Sequence, residues 1–211
     1  MTRLKALVCT LALSGTGMAL AESEFQVFSG IQASPHSTVH TAQGDSFFTS
    51  WDGKSMSFPI YFGWRYTHWV DQEWGYALNF AHAKAYADPT TRAAKGFTVL
   101  EFTDGANPLT VMAIRRFEPI SGYRPYAGLG AGISIPHVEE ERNGGAKTFG
   151  YQYGGPVLQA TGGFSYELSD KWQVHTELQV HYLKLDTKVN GGRLKTNLVS
   201  NAVNIGASYR F

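Results

Sequence analysis

The chain has 211 residues, 18 Lys+Arg against 17 Asp+Glu, 23 Gly, 13 Phe, 11 Tyr, 5 Trp and one Cys. The balanced charge excludes the marked basic excess of a nucleic-acid binder. The single Cys9 excludes a disulfide framework and cysteine-based chemistry in the rest of the chain, and glycine with aromatics but no further cysteine fits an exported β protein.

Residues 1–21 read as a signal peptide. Arg3 and Lys5 precede an apolar run that starts at Ala6, and Ala19-Leu20-Ala21 is a small-x-small exit before Glu22. The expected mature domain is then 22–211. No later segment reaches the roughly 20 apolar residues that a membrane helix needs. Strands that cross a bilayer alternate in polarity and escape that criterion.

Eight strands are expected in chain order. The first covers residues 25–33, the second 57–69 and the third 74–86. The fourth is 109–117, and the fifth is 124–135, where Gly128, Gly130 and Gly132 share one face as if opposite walls of a narrow barrel approach there. The sixth is 157–168. The seventh, 172–186, has the clearest period of two. Val174, Thr176, Leu178, Val180 and Tyr182 fall on one face, with Gln173, His175, Glu177, Gln179 and His181 on the other. The eighth ends the chain, with Val203, Ile205, Ala207, Tyr209 and Phe211 on one face.

Short connections (70–73, 118–122, 169–171) alternate with long ones (34–55, 87–107, 136–154, 187–196). Trp64, Trp69, Trp74, Trp172 and Tyr209 stand near strand ends, where interfacial aromatics belong. The pattern predicts an all-β, eight-stranded antiparallel transmembrane β-barrel with long extracellular loops, in the outer membrane of a Gram-negative bacterium. A soluble lipocalin-like barrel has the same strand number but an apolar interior, which the polar face of 172–186 opposes. The ending Tyr209-Arg210-Phe211 resembles the last strand of outer-membrane barrels, and outer-membrane assembly machinery is then an expected partner.

The candidate functional residues stand on the long-loop side. His36, His137 and His181 come from distant parts of the chain and are expected to converge on one rim. With Asp104 they form the candidate catalytic set. Asp88, Glu101, Asn107, Glu139 and Gln152 are candidates for substrate binding. Histidines with carboxylates can hold a divalent metal or do acid–base work. No fixed-spacing motif such as HExxH accompanies them. His175, Glu177 and Gln179 read instead as a hydrogen-bond network in the lumen.

Several of these residues sit in distinctive segments. They are Ala33-Ser34-Pro35-His36-Ser37-Thr38, Ala85-Tyr86-Ala87-Asp88-Pro89, Leu100-Glu101-Phe102-Thr103-Asp104-Gly105-Ala106-Asn107, Ile135-Pro136-His137-Val138-Glu139 and Phe149-Gly150-Tyr151-Gln152. Their order resembles the outer-membrane lipid A oxidase family of alphaproteobacteria, over most of residues 32–211. The resemblance implies oxidation of the proximal glucosamine of lipid A to aminogluconate, with dioxygen as co-substrate and lipid A or lipopolysaccharide as partner. It transfers no catalytic residues. A divalent metal ion is a candidate cofactor, since ordinary side chains transfer electrons to dioxygen poorly. A monomer is expected. The serine of a deacylase His-x-Ser pair is missing after His181, where Tyr182 and Leu183 follow. The alternative reading is a non-enzymatic structural or adhesive barrel.

Overall fold

The computed structural model describes residues 22–211, and the expected signal segment lies outside them. The elements are β1 (Glu22–His40), β2 (Ser46–Asp52), β3 (Phe62–Trp69), β4 (Trp74–His82), β5 (Ala85–Ala87), α1 (Pro89–Ala94), β6 (Phe97–Phe102), β7 (Pro108–Arg116), β8 (Tyr123–Ser134), β9 (His137–Arg142), β10 (Thr148–Tyr151), β11 (Gly155–Glu167), β12 (Trp172–Val189) and β13 (Gly192–Arg210). All strands belong to one antiparallel sheet. It closes because β1 pairs with β13 on one side and β3 on the other. The closed ring is β1, β3, β4, β7, β8, β11, β12 and β13: an eight-stranded barrel.

Alternation decides what faces in. Along β12, Gln173, His175, Glu177, Gln179 and His181 are buried, while Leu178, Val180 and Tyr182 are exposed. The same inversion puts Val27, Ile31, Val111, Leu129, Leu158 and Ile205 on the outer wall. A soluble barrel would bury these side chains; a bilayer is the solvent that favours their exposure. No helix among the described residues is long and apolar enough to cross a membrane.

The lumen of this barrel is filled, and its centre is ionic. Arg65 and Glu177 are both fully buried and pair through two bonds, Nη1 to Oε2 at 2.9 Å and Nη2 to Oε1 at 3.0 Å. Arg65 Nε also donates to Asn79 (3.1 Å) and Nη1 to Gln26 (3.2 Å). Glu177 accepts from Tyr126 (2.9 Å), Thr161 (2.9 Å) and Asn204 (3.2 Å). These side chains come from β1, β3, β4, β8, β11, β12 and β13, so the network ties together every barrel strand except β7. A charge taken from water must be compensated by such bonds.

The four long connections gather at one end of the barrel, as expected, but they are built mostly of strand. β1 changes partner on its way there. Its first part pairs with β3 and its last part with β2, across a register irregularity between Ser34 and His36. Pro35, which has no N–H to give to a ladder, sits at that bulge. The chain of pairings β1-β2-β5-β6-β9-β10 then curves above the membrane barrel. Its far side meets β12 through Gln152, which accepts from Lys188 N at 2.6 Å and donates to Lys188 O at 3.0 Å. That side chain mimics a strand partner and bridges the seam.

This upper layer has an ordinary apolar core. Val39, Phe47, Trp51, Phe97, Leu100, Phe102, Val138, Leu183, Leu185, Leu194 and Leu198 pack together inside it. The polarity of the interior therefore reverses along β12, from Glu177 and Gln179 below to Leu183 and Leu185 above. The upper layer stands in water on its outside, so its inside must be apolar.

Several sequence expectations are corrected here. The loop expected over 187–196 is a two-residue turn, because β12 and β13 continue as a hairpin to Val189 and Gly192. Residues 57–61 are not strand: Pro59 interrupts the alternating run, and β3 starts at Phe62. The expected strand over 74–86 is divided between β4 and β5. The glycines of β8 make room for the neighbouring strand rather than the opposite wall. A Cβ at Gly130 would lie 2.5 Å from Met112 Cγ and 2.7 Å from the Val111 carbonyl.

Two outcomes follow. Glu177→Ala leaves Arg65 buried without its counter-ion and should lower stability by about 3–5 kcal/mol in a urea titration in micelles. The double change Arg65→Met, Glu177→Leu should recover most of the loss. At the top, Asp45 pairs with Arg142 at 2.9 Å, and the Arg142 hydrogen bond with that of Thr41 lowers the Asp45 pKa from 3.8 to about 2. A depressed carboxyl stabilises the fold above its unfolded pKa and loses that contribution as pH falls through its folded value. Amide protection factors at residues 41–45 should accordingly fall between about pH 4 and pH 2.

Candidate functional site

The elements that matter meet on one flank of the barrel, where the lipid-facing wall of β3 and β4 passes into the outer face of β6, β9 and β10. Aromatic rings climb this flank. Phe25 stacks on Trp64 (6.2 Å), Trp64 on Phe80 (5.9 Å), Phe80 meets Phe62 (6.2 Å), and Phe62 stacks on His82 (5.3 Å). All lie on the outward side, because alternate residues of β3 and β4 share a face.

The turn 104–107 overhangs the top of this ladder. Gly105 has φ +87° and Asn107 has φ +45°, a left-handed conformation that asparagine tolerates better than most residues. A Cβ on Gly105 would come within 2.4 Å of Asn107 Oδ1 and 3.0 Å of His82 Nδ1. The turn is held by Ala106 N donating to Ala83 O (2.7 Å), Ile135 N to Asn107 O (3.2 Å) and His137 N to Gly105 O (3.0 Å). Between turn and ladder lies a cavity of about 430 Å³, lined by Phe62, Phe80, His82, Asp104, Asn107 and Ile135 among others. It opens sideways, toward lipid.

Directly above stands a carboxylate pair. Glu101 and Glu139 are register partners on β6 and β9, facing outward. Thr103 Oγ1 is 3.1 Å from Glu101 Oε1 and 2.7 Å from Glu139 Oε2. Burial raises the Glu101 carboxyl above its usual range. Burial alone would do the same to Glu139, but the ion pair with Lys147 and the Thr103 hydroxyl outweigh it and hold Glu139 low. The two neighbouring carboxyls are thus shifted in opposite directions, Glu101 up and Glu139 down. A hydroxyl has one proton, so Thr103 donates to one of the two carboxyls at a time. Pairs pushed apart in this way are the arrangement for acid–base chemistry. Tyr86, opposite Glu101 on β5, carries Lys54 Nζ over its ring at 3.7 Å.

The candidates read from the sequence divide on this frame. Asp104, Asn107, Glu101 and Glu139 come together on the flank. His137 joins them from beneath: it is buried against Phe149 (4.5 Å) and Tyr151 (4.8 Å). The expected convergence of His36, His137 and His181 does not occur. His36 is exposed on the outer face of β1, against Phe48 (4.8 Å), because the bulge after Ser34 turns it outward. His181 points into the lumen with Gln179 and Glu177, since its parity on β12 is theirs. Asp88 accepts from Thr91 N (2.7 Å) as the N-cap of α1, and Gln152 bridges the seam to Lys188. Both are thus engaged in holding the fold.

Sequence reasoning missed His82 and Thr103 as members of the group. Thr103 was signalled only by its place between Glu101 and Asp104. His82 was hidden by its position on a lipid-facing strand, where only the overhanging turn buries it. Among the described residues, no three His, Cys, Asp or Glu side chains assemble in a metal-holding arrangement, so these residues do not fit the candidate divalent metal.

No family model matches the chain, and no curated protein matches it. Among solved structures it is similar to Neisserial surface protein A, at 17% identity, with 90% of this chain and 97% of that one covered and a TM-score of 0.51. It is also similar to the outer membrane protein AlkL in lipid bilayers, at 13% identity, with 97% of each chain covered and a TM-score of 0.51. At these identities the likeness is one of fold. Together with the lipid-facing belt, it makes this chain an outer-membrane β-barrel.

Lys147→Gln tests the carboxylate pair directly. With the cation gone, Glu139 should titrate higher than in the unaltered protein in a ¹³C NMR titration of the glutamate carboxyl carbons. An unmoved Glu139 would show that the pair is not polarised by Lys147.

Proposed function

We propose that the flank described above binds a lipid A-type glycolipid from the outer leaflet and that the protein modifies its proximal sugar. The observation that carries this reading is the vertical order of one wall. Aromatic and aliphatic side chains lie at the level of lipid tails, His82, Asn107 and Asp104 above them, and Glu101 and Glu139 above those. An amphiphile standing in the outer leaflet has the same order. The lumen offers no rival site, because Arg65, Glu177 and their partners fill it.

The finer assignment is oxidation of the proximal glucosamine to aminogluconate, the activity that the motif resemblance implies. In that reaction the C1–H and anomeric O–H bonds of the hemiacetal break: dioxygen takes the C1 hydrogen with its two electrons, the hydroxyl gives up its proton, and that proton completes the peroxide. Hydrogen peroxide and a lactone result, and water opens the lactone to the acid. Glu139, held ionised by Lys147, is the group suited to take the hydroxyl proton. Glu101, shifted upward by burial, stands beside it as a hydrogen-bond partner for a sugar hydroxyl. Asp104 and Asn107 line the approach, and His137 is a positioning residue that packs beneath Tyr151. No step is assigned to a metal.

The test is mass spectrometry of lipid A from cells with and without the protein. The expected product is lipid A with one oxygen added on the proximal sugar. Glu139→Gln should reduce its formation by about 100-fold or more, the usual range for loss of a general base, while the barrel still assembles. Loss of an acyl chain instead would point to hydrolysis. An unchanged spectrum with folded protein in the membrane would favour a structural or adhesive barrel.

A further inference from the structure

One polar atom of His82, a residue that lines the cavity under the turn 104–107, has no partner. His82 is only 7% exposed, and its Nε2 is buried without a hydrogen bond. Its other ring nitrogen, Nδ1, lies 3.2 Å from Asn107 Oδ1. The Asn107 amide cannot be turned round, because its Nδ2 donates to Asp104 O at 2.7 Å and to Ile135 O at 3.1 Å. Oδ1 is therefore an acceptor, Nδ1 carries the proton, and Nε2 of the neutral ring presents a lone pair. Around it the lining is mainly apolar: Pro59, Phe62, Phe80 and Ile135. The cavity volume falls within the range of small-molecule sites.

We propose that His82 Nε2 accepts a hydrogen bond from a hydroxyl carried on the acyl chain of an amphiphile, whose methylenes lie against Phe62, Phe80 and Ile135. The inference rests on the reading that this flank takes a lipid from the outer leaflet. It adds a rule of selection to that reading. The headgroup level is set by Glu101 and Glu139 above the turn, so a donor reaching His82 belongs to the apolar part of the ligand. An unsubstituted chain covers the lone pair and leaves it unpaired, whereas a chain with a hydroxyl near its head satisfies it. Leaving a buried acceptor unpaired is the costly case, and the discrimination expected for one neutral hydrogen bond is about tenfold.

The experiment uses the full barrel in phosphatidylcholine vesicles. A fluorescent fatty-acid probe is displaced by 3-hydroxytetradecanoate or by tetradecanoate. The hydroxylated chain is expected to displace it at about one tenth of the concentration, and His82→Phe should erase the difference between the two chains. A second readout needs no variant. In ¹⁵N-histidine-labelled protein, the Nε2 resonance of His82 should move toward the hydrogen-bonded position with the hydroxylated chain only. Equal displacement by both chains, with an unmoved Nε2 resonance, would overturn the hydroxyl rule and leave the flank as a lipid site. Displacement by neither would overturn both. A preference that survives in His82→Phe would also overturn the assignment to His82.

Discussion

The barrel depends on one buried ion pair. A ring of eight strands has a narrow interior, and in this chain that interior is polar because the outer wall must be apolar. Polar groups enclosed in this way have to satisfy one another, and Arg65 with Glu177 provides the densest set of donors and acceptors among them. The pair and its partners come from seven strands, so each bond also fixes the register of the strand that carries it. A one-residue slip would turn that strand's side chain out to lipid and leave a charge uncompensated. The pair therefore specifies the arrangement of strands more than it adds to net stability.

The candidate site exists because the interior changes character above this pair. Strands β12 and β13 pass from the polar lumen into the apolar core of the upper layer without interruption. Beside β13, β1 leaves β3 and takes β2 as its partner, so the wall is not continuous there. The turn 104–107 fills the step between the two layers. It brings a glutamate pair, a histidine and an asparagine to the same flank as the aromatic ladder. Neither layer alone would place carboxylates next to a lipid-facing groove.

The barrel itself was legible in the sequence. The period of two in residues 172–186 and the polar face opposite Val174 and Leu178 were enough to infer both strand and inside-out polarity. The upper layer was not legible, because the segments 34–55 and 87–107 mix turn residues with short apolar runs. Phe47, Trp51, Phe97 and Phe102 are core residues there, yet in sequence they look like aromatic decoration of loops. The site was legible in half. Glu101, Asp104, Asn107, His137 and Glu139 lie in segments that the topology brings together. His36 and His181 had the right chemistry but the wrong parity: a single bulge turned one outward, and alternation turned the other inward. His82 was invisible because burial of a lipid-facing residue depends on a turn more than 20 residues away.

The length of the shared hairpin has a further consequence. β12 has 18 residues, about 60 Å of strand at the usual rise, whereas the hydrocarbon core of a bilayer is about 30 Å thick. The groove beneath the turn 104–107 is thus at a height fixed by covalent structure, measured from the short-turn end of the barrel. The headgroup plane is held less rigidly, by the apolar belt and the interfacial aromatics, and it shifts with bilayer thickness. The barrel behaves as a depth gauge: a change of a few ångströms in the membrane would shift the sugar level of the leaflet against the carboxylates.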